Sequence, residues 1–200
     1  MGLVPASVSA MKSIEVFRPK YLIMCGMMAG IKSRASMGDV VVADPVWNWE
    51  SGKWISDKGK NTFKAAPYQR RLAQPMRNKV DHLIESKWIE SAYDEWPGSK
   101  PDAAPDVRRG PVVSGSSVIA SSDQLPQMKE QHRELLGLEM ETYALHVASE
   151  ECTPPRPLAL SAKSVVDYAD SNKPDTYHPY SSFISAQFIS RLLVKYTLEG

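Results

Sequence analysis

Apolar positions switch between two periods along the chain. Val4, Val8, Met11, Ile14 and Val16 recur near helical spacing, and Pro19 closes the run, so Val4 to Val16 is a predicted helix. Tyr21 to Cys25 is a continuous apolar stretch, the pattern of a strand buried on both faces. Gly26 and Gly30 are expected to bracket a tight turn, and Gly38-Asp39 leads into a second buried strand, Val40 to Ala43. From Trp47 to Asp106 the periodicity breaks down. This segment holds all five tryptophans and many prolines, and one helix is predicted within it, from about Arg70 to Trp88. Val107 to Val113 resumes as a strand, and Gly115 to Ser122 reads as a loop of small residues. Gln124 to Leu136 is a predicted helix capped by Ser122 or Asp123, and a short segment, Gly137 to Glu139, opens another from Met140 to Ser149. Leu158 to Val166 is a buried strand, and Ser181 to Tyr196 closes the chain as an amphipathic helix carrying Phe183, Ile184, Phe188, Leu192 and Leu193. Helices alternating with apolar strands predict an α/β fold, with helices on both faces of a central mixed, largely parallel sheet. The Pro- and Asp-rich stretch Pro97 to Asp106 is expected to be a surface loop, which leaves residues 1–200 as a single domain.

Composition narrows the function. Lys and Arg total 24 against 23 for Asp and Glu, a net charge of +1, which argues against a broad electrostatic grip on nucleic acid or an anionic membrane surface. No apolar run approaches the ~20 residues of a membrane helix, and Lys12, Glu15 and Arg18 interrupt the N-terminal stretch before it could serve as a secretory signal. Two cysteines, Cys25 and Cys152, stand far apart, so a disulfide framework or cysteine-based zinc site is not expected and a cytoplasmic setting is. His82, His132, His146 and His178 show no mutual ligand spacing, and no metal or organic cofactor is expected.

Candidate chemistry gathers where strands end, because open α/β sheets bind ligands beyond the carboxyl ends of their strands. Three such places carry suggestive residues: Gly26 to Gly30, the triplet Glu139-Met140-Glu141, and Asp167 to Asp170. Acidic groups there could supply a proton donor and a carboxylate for a polyol. Equally, Glu141 could simply complement the dipole of the helix it opens.

Four stretches carry a resemblance: CGMMAGIKSRASMGDVVVADPV, GPVVSGSSVIAS, GLEMETYAL and LALSAKSVVDYADSNK. In this order they resemble the nucleoside phosphorylase and nucleosidase superfamily, which includes purine nucleoside phosphorylases and methylthioadenosine/S-adenosylhomocysteine nucleosidases. The resemblance implies a nucleoside phosphorylase-like fold and cleavage of a purine N-glycosidic bond, with an adenine-type base. It implies that Glu141 holds the ribose diol, through charge-assisted hydrogen bonds of roughly 1.5 to 3 kcal/mol each. Met140 would pack on the sugar, Glu139 would stand beside it, and Val118 and Ile119 would flank the base. Asp167 would be the general acid at purine N7, a contribution of about 10² to 10⁴ in rate. An aspartate in that role must be raised well above its ordinary value of about 3.9 by desolvation or hydrogen bonding. A homo-oligomer is implied as well.

Departures from the family pattern sharpen the expectation. Met27 stands where relatives often hold a serine that contacts phosphate or ribose, which favours water over inorganic phosphate as the acceptor. Val118 replaces a frequent aromatic, and Val166 replaces a small hydroxyl residue before the acid. A strand and glycine-rich turn ahead of the first helix are missing, so the fold is expected to be N-terminally incomplete and without the family's phosphate loop or water-activating glutamate. These departures keep a second reading in play, a catalytically silent nucleoside-sensing module of a larger regulatory or defence protein. A chain that folds poorly for want of a strand is the third. Trp47, nearest a strand end, is a candidate pocket or interface residue, and His178 falls in an expected surface loop.

Overall fold

The computed structural model describes residues 2–57, 59–117, 119, 122–170 and 175–197. Helix α1 (Leu3–Phe17) ends at Arg18, whose left-handed backbone turns the chain into β1 (Tyr21–Gly30). β2 (Val40–Asn48) follows, then a hairpin of β3 (Gly52–Asp57) and β4 (Lys60–Ala65), and helices α2 (Gln74–Glu85) and α3 (Ile89–Glu95). The remainder runs β5 (Val107–Ser114), α4 (Leu125–Gln131), β6 (Gly137–Glu139), α5 (Thr142–Glu151), β7 (Leu158–Asp167) and α6 (His178–Thr197).

The mixed sheet closes on itself as a barrel in the order β1-β6-β5-β2-β7. β1–β7, β2–β5 and β5–β6 are parallel pairs, whereas β1–β6 and β2–β7 are antiparallel. Closure is possible because β6 approaches β1 tightly at Gly137, where an added Cβ would run into Ala29 and the tip of Met28. Strand alternation sorts the core. Val40, Val42, Leu160 and Ala162 face α2, α3 and α6, while Met28, Val41, Ala43, Val112 and Val165 fill the other side of the same strands. Ala10 and Ile14 of α1 pack with Leu145, Ala148 and Cys152 of α5 over Ala159.

The expected α/β fold holds, with helices packed on a mixed sheet, and several boundaries change. β1 runs through Gly26 to Gly30, so Met27 is mid-strand, paired with Ser164, and not in a turn. The helix expected from about Arg70 to Trp88 is the shorter α2; the chain breaks at Lys87, whose φ of 50° is incompatible with a continuing helix, and α3 follows from Ile89. No long helix follows Ser122 and Asp123. They lie in a 3₁₀ turn ahead of the short α4, which starts at Leu125-Pro126, a residue pair suited to a first turn. His178 opens α6 instead of lying in a loop. The hairpin went unread in the sequence. Its signal was Gly59, which supplies the positive φ (82°) needed by the two-residue connection between Asp57 and Lys60.

Candidate active site

The site is assembled around β7. Residues 161, 163 and 165 share one face of this strand, and a β-bulge at Val166 interrupts the alternation before Asp167, which ends the strand about 13 Å beyond Lys163. The start of α5 lies against Lys163, and Asp167 ends the strand at the turn that follows.

At the α5 end the carboxylates form a closed network. Glu139, the last residue of β6, is buried, and one of its oxygens accepts the backbone N–H groups of Glu141 (2.9 Å) and Thr142 (2.8 Å). It thereby caps a helix whose own N-cap position, Glu141, makes no side-chain capping bond. The same oxygen accepts from Lys163 Nζ at 2.6 Å, and the other accepts from the Ser114 hydroxyl. Burial alone would raise the Glu139 carboxyl. The Lys163 charge, with hydrogen bonds from Lys163 and Ser114, overrides burial and holds it below its ordinary 4.5. Burial likewise pushes Lys163 down, and Glu139 and Glu141 outweigh it, keeping the amine above 10.5. The pair is therefore ionised at neutral pH.

Glu141 lies one shell further out. Its Oε2 accepts from Lys163 Nζ at 2.8 Å and its Oε1 from the backbone N–H of Gly2 at 3.2 Å, while 22% of the side chain reaches the surface. A carboxylate offers about four acceptor positions, so Glu141 keeps capacity for outside donors such as hydroxyls. Glu139 does not: with its side chain 2% exposed, it positions Lys163 and α5 and is not placed to touch a substrate. Met140 between them is half-buried.

At the other end Asp167 is half-buried and its Oδ1 accepts the backbone N–H of Ala169 at 2.7 Å, which folds the turn beyond the strand. Ala169 and Ile31 share an apolar cluster with Trp47 and Val113, and Ile119 packs on that cluster, so the structure brings Ile119 to the turn that carries Asp167. Trp47 is fully buried in it, with its indole N–H donated to Gln131 at 2.8 Å; it is core and not a pocket wall. Met27 is exposed (37%) two residues before Ala29, the register partner of Asp167. Val118 lies outside the described residues. The loop leading to it is pinned by Gly115 N–H on the Glu139 carbonyl and Ser116 N–H on Glu50. Lys163 is the residue the sequence reading missed. A lone lysine inside the apolar run from Leu158 to Val166 was the available signal, since a charge buried in a strand needs a partner.

The family model of the phosphorylase superfamily matches residues 1–191. The chain belongs to this superfamily. Among curated proteins it is similar to an uncharacterized protein, y4jS, of Sinorhizobium fredii (34% identical over 187 residues, 93% of this chain and 45% of that one). It is also similar to the ATP nucleosidase Cap17 of Escherichia coli (27% over 198 residues, 92% of this chain and 38% of that one). A 5'-methylthioadenosine/S-adenosylhomocysteine nucleosidase of Maridesulfovibrio salexigens is 25% identical over 145 residues, 72% of this chain and 56% of that one. The chain thus spans less than half the length of the first two. Among solved structures, the S-adenosylhomocysteine nucleosidase of Streptococcus pyogenes superposes with a TM-score of 0.74 at 20% identity, over 98% of this chain and 76% of that one. A futalosine hydrolase mutant of Helicobacter pylori gives a TM-score of 0.75 at 13% identity, over 98% of this chain and 77% of that one. These likenesses concern the fold.

Proposed function

We propose that the chain hydrolyses the N-glycosidic bond of an adenine nucleoside. The observation that carries this reading is the pair of carboxylates along β7: Glu141 at the start of α5, held by an ionised Lys163 of that strand, and Asp167 at the strand's carboxyl end. Glu141 accepts hydrogen bonds from the 2′ and 3′ hydroxyls of the ribose. Asp167 donates a proton to N7 of the base, Ile119 lies beside the ring, and Met140 packs on the sugar. As the C1′–N9 bond breaks, its electron pair leaves with the protonated, neutral base, and positive charge spreads over the ribose ring. Water adds its hydroxyl to C1′ and releases a proton to solvent. Relatives named as nucleosidases support water as the acceptor, as does Met27 at a position where a phosphate contact is expected. The chemistry draws on no cofactor, and a homo-oligomer is the proposed assembly.

The test is adenine release from a panel of adenine nucleosides, with and without phosphate, by the parent and by Asp167→Asn. Release without phosphate is expected, falling about 10²- to 10⁴-fold in the variant. Unchanged release by Asp167→Asn would overturn the assignment of the acid. Release only with phosphate would make the chain a phosphorylase. Binding with no release would make it a nucleoside sensor.

A further inference from the structure

A cavity of about 440 Å³ opens between α2 and α6, within the size range of small-molecule sites. One side of α6 packs against β7, where Ile184, Phe188 and Leu192 share a core with Leu160 and Ala162. Another stripe of the helix, Ser190, Arg191, Val194 and Lys195, recurs at helical spacing and lines the cavity. Leu83 of α2 and Trp88, just ahead of α3, complete the wall. Successive residues of β7 face opposite ways, so the strand stands between this cavity and the carboxylates held by Lys163.

The lining joins positive charge to apolar surface. Arg191 and Lys195 are cations, and no described lining residue is acidic. Glu95 approaches Arg191 only at 3.8 Å, the outer limit of an ion pair, and Lys195 has no ion-pair partner among the described residues. The guanidinium of Arg191 stands 5.3 Å from the centre of the Trp88 ring, a contact that holds a long side chain in place. Beside it lie the buried Leu83 and the exposed Val194. Two N–H groups of this lining, Trp88 Nε1 and Arg191 Nε, are buried and donate to no partner among the described residues. Buried donors are nearly always paired in folded proteins, so two of them on touching residues call for an acceptor. A carboxylate offers acceptors only, and its planar pair of oxygens matches a guanidinium.

We propose that this cavity binds a small organic acid, its carboxylate held by Arg191 and Lys195 and its apolar body laid against Trp88, Leu83 and Val194. The site is distinct from the candidate active site, and the inference does not depend on the hydrolytic reading. Both cations are partly open to solvent, so the charged part of the affinity is screened by salt.

The experiment is calorimetric titration of naphthaleneacetate into the protein, with naphthaleneacetamide testing the apolar body without its charge and acetate the charge without its body. One site per chain is expected, with the acid bound at least about tenfold more tightly than the amide or acetate, as a charge-assisted contact requires. That preference should shrink as salt rises from about 0.05 to 0.5 M. Two variants locate the site. Arg191→Gln/Lys195→Ala removes the charge and should bring the acid down to the affinity of the amide. Val194→Trp, at an exposed position that tolerates a larger side chain, fills the cavity and should abolish binding of both while the fold is kept. Saturating adenosine should leave the titration unchanged. The site is overturned by absence of saturable binding to the parent, by equal affinity for acid and amide, or by acid binding that survives either variant. Displacement of the acid by adenosine overturns it as well, since the acid would then occupy the nucleoside site.

Discussion

The start of α5 and the end of β7 each bring a carboxylate to one strand, yet they are built in opposite ways. At α5 every buried charge has its partner: Glu139 takes a lysine, a hydroxyl and two backbone N–H groups, and Lys163 takes two carboxylates. At β7 the half-buried Asp167 holds its own turn, and Tyr168 and Asp170 just beyond it line a cavity with Lys32 and Lys129, which have no ion-pair partner among the described residues. The first arrangement fixes geometry and resists change. The second leaves charge and space for something that arrives. On the proposed function, positioning and reaction are divided along β7, and substitutions at the two places should separate stability from activity.

The largest separation is expected from Lys163→Met set beside Asp167→Asn. Removing Lys163 leaves Glu139 buried without its counter-charge, which costs about 3 to 5 kcal/mol. Its carboxyl should then rise into a range where it takes up a proton, because burial is no longer opposed by the ammonium. Asp167→Asn should cost no more than about 1 kcal/mol, since the amide oxygen can still accept the Ala169 N–H. Urea unfolding of both variants checks the contrast. The double variant Lys163→Met/Glu139→Gln sharpens it by recovering part of the lost stability. Equal losses at Lys163 and Asp167 would show that the two ends are not distinct.

Much of this was legible before any coordinates. Largely apolar runs marked β1, β2 and β7, because strands covered on both faces keep few polar positions, and Val107 to Val113 was read as a strand despite Arg108 and Arg109. Glu141, Asp167 and Ile119 were proposed through motif resemblance, and the structure places Ile119 by the Asp167 turn and Glu141 at the start of α5 against Lys163. What stayed hidden depends on contacts distant in sequence. Barrel closure rests on three residues of β6, too few to carry a period, and on a glycine whose need is visible only once β1 lies against it. The Lys163 partnership spans 22 and 24 residues, with nothing local to announce it. Met27 misled because glycines at 26 and 30 suggested a turn, whereas both lie within β1, Gly30 where an added Cβ would press on Val165.

A middle-sized effect tests how tightly the α5 end is sealed. His146 is buried on α5, and burial, with help from Arg70, depresses its imidazole to about 4 against the pull of Asp44 and Glu139. The unfolded chain binds a proton on this residue near 6.5 and the folded chain does not. Stability therefore falls as pH drops from about 6.5 toward 4, by about 3 kcal/mol across the window. Asp39 works the other way in the acid part of the range, because burial raises its carboxyl above 3.8. Urea midpoints across this range should show a slope that flattens in His146→Gln. An unaltered slope would assign the acid sensitivity to other groups and show that the α5 end admits water.

The smallest effect belongs to Ser114→Ala. Its hydroxyl donates to Glu139 and accepts the Tyr143 N–H at 2.9 Å, linking β5 to the first turn of α5. Losing it leaves a backbone N–H short of a partner and removes one of several bonds to Glu139, a cost of about 1 to 2 kcal/mol. Lys163 and the two capping N–H groups remain, so Glu141 should stay in place and the KM for adenine nucleosides should move less than about threefold. Unfolding and kinetics measured on one preparation decide the point. A stability loss equal to that of Lys163→Met would mean that the hydroxyl, and not the ion pair, closes the α5 end. A large rise in KM with little change in stability would mean that β5 positions Glu141 directly, and the division between a positioning end and a reacting end would have to be redrawn through Ser114.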